Sequence, residues 1–276
     1  MKNTVLITGS STGFGAAAAN YFAAKGWNVI ASMRDTSKDK QLNKQENIFV
    51  THLDVEDTAS IDAAITAGLA RFGKIDVVIN NAGYGLFGIF ESFTKEAIQQ
   101  QFAVNLFGAM DVAKAILPHF RAQQSGVLIN VSSGAGVVGF PNASIYNASK
   151  FALEGWSEGL RYELAAIGIK VRIVEPGGAT QTDFLQRVWG EGKNASIIPD
   201  YIPFLQKSEE MYANLGANSD EDAVEKIVAA LYAAATADDD QLRYAPTSDI
   251  QPLLNVRRSS SEEEFNSFTN GLFLGK

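Results

Sequence analysis

At 276 residues, with 46% hydrophobic and 20% charged side chains, the chain has the size and composition of one large globular domain, outside the disordered, collagen-like and coiled-coil ranges. A formal net charge of −8 offers no general attraction to nucleic acid or to anionic membranes. With no cysteine, disulfides, zinc-thiolate sites and thiol catalysis are excluded, and His52 and His119 are too few for a histidine-based metal site.

In chain order, "TVLIT" (4–8) is a β-branched apolar run followed by "GSSTGFG" and the alanine-rich "AAAANYFAAK", which Gly26 closes. That order predicts strand, glycine turn and helix with a glycine stop. Further apolar runs follow at 27–33, 48–55, 75–83, 126–133 and 170–177, separated by helical patterns. Continuous apolar strands are buried on both faces, so the pattern predicts a doubly wound α/β fold: a parallel sheet with helices on both faces.

From about residue 183 to 218 the period is lost among aromatics, prolines and glycines, and this segment reads as helical turns and loop forming a substrate lid. A helix at about 222–236 and a short strand "LRYAP" come next, and the tail, about 250–276, reads as solvated around "RRSSSEEEFNSF". One domain over 1–276 is expected. The opening apolar run is too short for a signal-peptide core and no stretch approaches the roughly 20 apolar residues of a membrane span, so a cytoplasmic location is expected.

Gly9, Gly13 and Gly15 fall between the first strand and first helix as Thr-Gly-x-x-x-Gly-x-Gly. Missing Cβ atoms permit a tight turn, let backbone amides approach a pyrophosphate and free the helix N-terminus to meet its charge. Ser11, Thr12 and Phe14 complete this phosphate-facing loop. At the end of strand two Met33 stands where a ribose-binding acid is expected, Arg34 follows, and Asp35 would face away from the pocket if Arg34 faces in. This favours NADP(H) over NAD(H), the alternative being that Arg34 is a solvated strand-end cation.

Tyr146 and Lys150 are four residues apart, hence on one face of a helix. Ser133 precedes Tyr146 by thirteen residues within "SGAG", "NNAG" (80–83) ends strand four, and Asn105 lies in the following helix. Together with "TGSSTGFG" these residues resemble the short-chain dehydrogenase/reductase family, over about residues 4–182. The resemblance implies a Rossmann-type fold, an NAD(P) cofactor and a carbonyl/alcohol substrate. It implies the tetrad Asn105, Ser133, Tyr146 and Lys150, with Ser132 left to the strand.

A phenol within reach of a carbonyl oxygen serves as acid in reduction and as base in reverse. Moving a tyrosine from a pKa of about 10 to about 7 needs roughly 4 kcal/mol of preferential phenolate stabilisation, and Lys150 is the cation placed to supply it. Ser133 would bond the substrate oxygen. Asn105 would hold a water relaying protons to Lys150, unless it only satisfies local backbone.

The same resemblance assigns Asp54 and Val55 to adenine, Asn81, Ala82 and Gly83 to the adenosine ribose, Tyr146 and Lys150 also to the cofactor, and Pro176 and Gly177 to the nicotinamide. Gln181 replaces the expected threonine, and Thr182 is chosen over Thr180 for the carboxamide. A looser likeness to the hydroxysteroid- and retinol-dehydrogenase branch suggests a hydrophobic substrate, with Phe140, Phe184, Trp189, Tyr201, Phe204, Met211 and Tyr212 near the pocket. The family resemblance also implies dimers or tetramers through the helices carrying Asn105 and Tyr146. The competing readings are a non-catalytic dinucleotide-binding regulator or sensor, and a sugar-nucleotide epimerase or dehydratase, against which the glycine spacing argues.

Overall fold

The structure, a computed structural model, describes residues 2–39, 41–178, 198–217 and 219–275. Seven parallel strands form one sheet in the order β3-β2-β1-β4-β5-β6-β7. They are β1 (Thr4–Ile7), β2 (Asn28–Met33), β3 (Ile48–His52), β4 (Val77–Asn80), β5 (Gly126–Val131), β6 (Ile169–Val174) and β7 (Arg243–Tyr244). The strand order reverses between β1 and β4, the switch point where ligands bind in open α/β sheets.

The all-apolar strand runs are buried because both faces are covered. Val5, Ile7, Val29, Ala31, Val77 and Ile79 point to α1 (Gly13–Ala24) and to α7 (Ala223–Thr236). Their neighbours Leu6, Ile30 and Val78 point the other way, to α2 (Thr58–Phe72), α4 (Gly108–Gln123) and α5 (Ser144–Ala165). The period of two in a strand therefore feeds two separate cores, each fully buried valine, leucine or isoleucine contributing about 1.5–3 kcal/mol.

Between α3 (Lys95–Phe102) and α4 lies a π-helical turn, Ala103–Phe107, in which the Gly108 amide bonds back to the Ala103 carbonyl. Such turns displace the backbone ladder locally and collect at functional sites.

Two segments differ from the sequence reading. The described part of the lid region is a regular helix, α6 (Ile202–Ala217), despite Pro203 and Gly216. The tail is not a solvated coil but α8 (Gln251–Ser259) and α9 (Glu262–Leu274), the latter opened by a reciprocal capping box between Ser261 and Glu264. Leu253, Leu254, Phe265 and Phe273 pack against Val138 and Phe140, and Arg258 pairs with the fully buried Glu175, so the tail's apolar and charged residues are part of the body. Among the described residues no helix is long and apolar enough to cross a membrane.

Candidate active site

The glycine turn leaves β1 with Gly9 at φ +69° and Gly13 at φ +58°, both left-handed. Gly15 answers a different need: a Cβ there would stand 2.4 Å from the Gly9 carbonyl oxygen. The loop is tied to the end of β4. Asn81 Nδ2 donates to the carbonyls of Thr8 (2.8 Å) and Gly9 (3.2 Å), while Thr8 Oγ1 accepts from the amides of Asn81 and Ala82 at 3.0 Å each. Thr8, not singled out above, is thus the pin between the turn and "NNAG"; its place immediately before Gly9 was the available signal.

A cleft of about 650 Å³ runs along the C-terminal strand ends. Gly9, Thr12, Gly13, Arg34, Asp54, Val55, Asn81, Gly83, Tyr146 and Lys150 all line it, with Ser11, Phe14 and Ala82. These residues fit a dinucleotide: a positive-φ turn at a helix N-terminus whose Thr12 side chain does not cap the helix, then a trough across the switch point.

Asp35 also reaches this cleft, contrary to the expectation that it faces away. β2 ends at Met33 and a turn follows, so strand alternation no longer applies. Its carboxylate is engaged: Oδ1 accepts from the Ser37 hydroxyl (2.6 Å) and amide (3.1 Å), bonds that hold its pKa below the usual carboxylate value. Lys38, missed above, brings a second cation to the lining. The Asp-x-Ser turn start was the readable signal that residue 38 would curl back.

Tyr146 and Lys150 occupy the buried face of α5, both in contact with the cleft. Lys150 Nζ donates to the Val131 carbonyl at 2.8 Å and lies 5.9 Å from the Tyr146 ring centre. Ser133 caps a short turn through the Ala135 amide (3.2 Å) and hydrogen-bonds Tyr146, whereas Ser132 is directed at Glu154. Burial pushes Tyr146 up to about 12, against the Ser133 bond, and pulls Lys150 down to about 8, against the charge of Glu154.

Asn105 sits in the π turn, 2% exposed. Its Nδ2 donates to the Tyr84 carbonyl (2.9 Å) and Ser149 Oγ (3.2 Å), and its Oδ1 accepts from the Tyr84 amide (3.1 Å). The side chain holds the Tyr84 backbone, 21 positions away, and Ser149 of α5, and bonds no backbone of its own helix through these contacts. It also adjoins the site: a Cβ on Gly83 would lie 3.2 Å from Asn105 Oδ1 and 3.8 Å from Lys150 Nζ.

A second, smaller pocket of about 160 Å³ opens beside Ser133 and Tyr146. Phe87, Phe140, Tyr212, Leu215 and Leu253 make it apolar, and Pro176 and Gly177 form one wall. Tyr212, whose hydroxyl donates to the Pro141 carbonyl at 2.8 Å, and Phe87, whose ring centre is 5.4 Å from that of Tyr146, pack over the phenol. Phe87 was not anticipated, since its loop has no periodic signal. Met211 is buried in α6, and neither it nor Tyr201 nor Phe204 lines this pocket. Thr182, its alternative Thr180, Phe184 and Trp189 lie outside the described residues.

The sheet, the switch-point cleft and the glycine turn define a Rossmann-type nucleotide-binding protein. A family profile described as short chain dehydrogenase matches residues 3–191, and the chain belongs to that family. An uncharacterised oxidoreductase of Schizosaccharomyces pombe is 40% identical over 218 residues, 79% of this chain and 89% of that one. A 3-ketodihydrosphingosine reductase of Bacteroides thetaiotaomicron is 39% identical over 210 residues, 74% and 76% of the two chains.

Among solved structures, a short-chain dehydrogenase from Streptomyces avermitilis superposes with a TM-score of 0.81 at 33% identity, covering 97% of each chain. The 3-ketoacyl-(acyl-carrier-protein) reductase of Brucella melitensis, 30% identical with a TM-score of 0.64 over 67% of this chain and 78% of its own, carries NADH. ElxO, 26% identical with a TM-score of 0.72 over 89% and 98%, carries NADP. The chain is an oxidoreductase of this family, and a nicotinamide dinucleotide is its supported cofactor.

Proposed function

We propose that this protein reduces a hydrophobic ketone or aldehyde with NADPH, Tyr146 acting as the general acid and, in the reverse direction, as the base. The observation that carries the reading is the place of Tyr146: it is shared by the dinucleotide cleft and the small apolar pocket, with Ser133 bonded to it. A carbonyl group in the apolar pocket would present its oxygen to the phenol and to Ser133 while its carbon faces the cleft. When bound, the reduced nicotinamide supplies the hydride.

Tyr146 supplies the proton. A buried phenol with a pKa of about 12 is fully protonated at neutral pH, as an acid must be before reaction. Its conjugate base is poorly solvated there, so the Lys150 ammonium has to stabilise the phenolate as it forms. Ser133 stabilises charge developing on the substrate oxygen, and Asn105 fixes the Gly83–Tyr84 wall of the cleft. Gly9, Ser11, Thr12, Gly13, Phe14 and Gly15 would hold the pyrophosphate, Asp54 and Val55 the adenine, Asn81, Ala82 and Gly83 its ribose, and Lys150 the nicotinamide ribose.

The preference for NADP(H) rests on charge at the cleft's adenosine end. Arg34 and Lys38 line it, and among the described residues the Arg34 guanidinium has no carboxylate within ion-pair distance, which suits a ribose phosphate. The apolar pocket, and a relative named as a reductase of a keto compound, support a hydrophobic ketone as substrate. Exposed Phe107 (54%), Phe151 (42%) and Tyr162 (64%), at the start of α4 and along α5, support association of identical subunits through those helices. The cytoplasm is the proposed location.

Oxidation of NADPH and NADH, followed by loss of reduced-nicotinamide absorbance over a panel of ketones, aldehydes, quinones and steroids, tests the proposal on wild type, Tyr146→Phe and Arg34→Leu. Expected are turnover with NADPH, a loss of about 10²- to 10⁴-fold in Tyr146→Phe, the size of a missing general acid, and weaker NADPH binding alone in Arg34→Leu. Unaltered turnover in Tyr146→Phe would sink the acid/base assignment. Preference for NADH would overturn the reading of Arg34.

A further inference from the structure

Behind the cleft an alternating row of charges runs from α5 to the C-terminal helices. Lys150 is followed one helical turn later by Glu154, 5% exposed. Glu154 Oε2 accepts from Arg243 Nε at 3.1 Å. Arg243 also pairs with Glu175 (3.3 Å) and, nearer the surface, with Glu158 (2.8 Å). Glu175, fully buried, takes both of its oxygens to Arg258 of α8, at 2.5 and 2.8 Å. These are the charged groups facing Glu154: Lys150 and Glu158 from its own helix, Glu175 from the end of β6, Arg243 from β7 and, behind them, Arg258, with Ser132 from the end of β5 beside the carboxyl.

Isolated charges do not persist in such a place; each must be held by its neighbours. Three carboxylates and two guanidiniums leave one negative charge in excess, and Glu154 is the carboxylate whose charge acts on Lys150. The ammonium is buried, and it donates a hydrogen bond to the neutral Val131 carbonyl.

We propose that Glu154 is a positioning residue of the active site, the buried counter-charge that keeps Lys150 protonated beside Tyr146, itself paired through Arg243 with the C-terminal part of the chain. Glu154 touches neither cofactor nor substrate in this arrangement; it acts through Lys150. The inference rests on the catalytic reading of Tyr146 and Lys150 given above. Burial draws Glu154 up to about 7 and Lys150 down to about 8, so from neutral pH upward the carboxylate is charged while the ammonium is close to losing its proton. That is the window in which the counter-charge matters.

Two variants separate charge from packing: Glu154→Gln keeps the shape, and Glu154→Met removes the cost of burying a polar group, while Arg243 retains Glu158 and Glu175. In the ligand-free protein, NMR titration of lysine Cε resonances should show the Lys150 midpoint lowered by about one pH unit in both variants, as expected for loss of a charge one helical turn away. The alkaline limb of kcat/KM for reduction should move with it, so that the ratio of variant to wild type falls about fivefold between about pH 7 and about pH 9. A Lys150 midpoint that stays put in either folded variant overturns the proposal, as does a loss of turnover equal at every pH, which marks a structural role. Wild-type turnover in Tyr146→Phe would instead overturn the catalytic reading, leaving the titration to decide the coupling between Glu154 and Lys150 by itself.

Discussion

Gly15→Ala puts one methyl group where the fold brings two loops together. The new Cβ would lie 2.4 Å from the Gly9 carbonyl oxygen, 2.9 Å from its carbon and 2.6 Å from Asn81 Nδ2. Two of those atoms are backbone, and Gly9 is itself tied to the end of β4 by the Asn81 side-chain amide, which donates to its carbonyl. Restoring van der Waals separation takes roughly an ångström of movement at the start of α1, which breaks the Asn81 bonds to Thr8 and Gly9.

Overpacking of this kind costs about 1–3 kcal/mol, and the better helix propensity of alanine returns up to about 1 kcal/mol. A net loss of about 1–2 kcal/mol lowers Tm by about 2–8 °C for a domain of this size. Dinucleotide affinity should fall at least about tenfold, equivalent to 1.4 kcal/mol, because the same movement displaces the turn amides. Circular dichroism melting and fluorescence titration with NADPH measure both. A variant with unchanged Tm and affinity would refute the claim that backbone contact, and not chain flexibility, demands glycine at position 15.

Two further outcomes are expected. Glu154, with its folded-state pKa raised to about 7 from 4.5, binds protons more tightly when folded, so its contribution is fullest below about pH 4.5 and is lost as pH rises through about 7. Urea unfolding should show Glu154→Gln removing roughly 3 kcal/mol of that decline across the window, and parallel stability curves for the two proteins would contradict the burial argument. Phe151→Glu should convert a sedimenting dimer or tetramer into monomer by placing charge on the apolar face of α5; wild type that already sediments as monomer at micromolar concentration would dismiss that interface.

Local order was readable from the chain because it is written at short range. Buried strands showed as unbroken apolar runs, the Gly9–Gly15 turn as glycines after β1, and the shared face of Tyr146 and Lys150 as a spacing of four. Where pairing spans long separations, no such trace exists. Thr8 meets Asn81 across 73 positions, and Arg243 meets Glu154 across 89. Asp35 failed for a related reason: strand alternation was extended past the residue where the strand ends.

The tail shows the division most clearly. Its charges are plentiful enough to read as a solvated segment, yet Leu253, Leu254, Phe265 and Phe273 find an apolar partner in the Val138–Phe140 loop, and Arg258 finds Glu175. The class of fold, the nucleotide turn and the spacing of the phenol, hydroxyl and ammonium are legible in the chain, since each depends on backbone geometry at short range. Which charges surround Lys150 and which rings enclose Tyr146 emerge with the folded molecule, because electrostatics and packing act through distance in space, and residues far apart along the chain become neighbours only once the sheet is assembled.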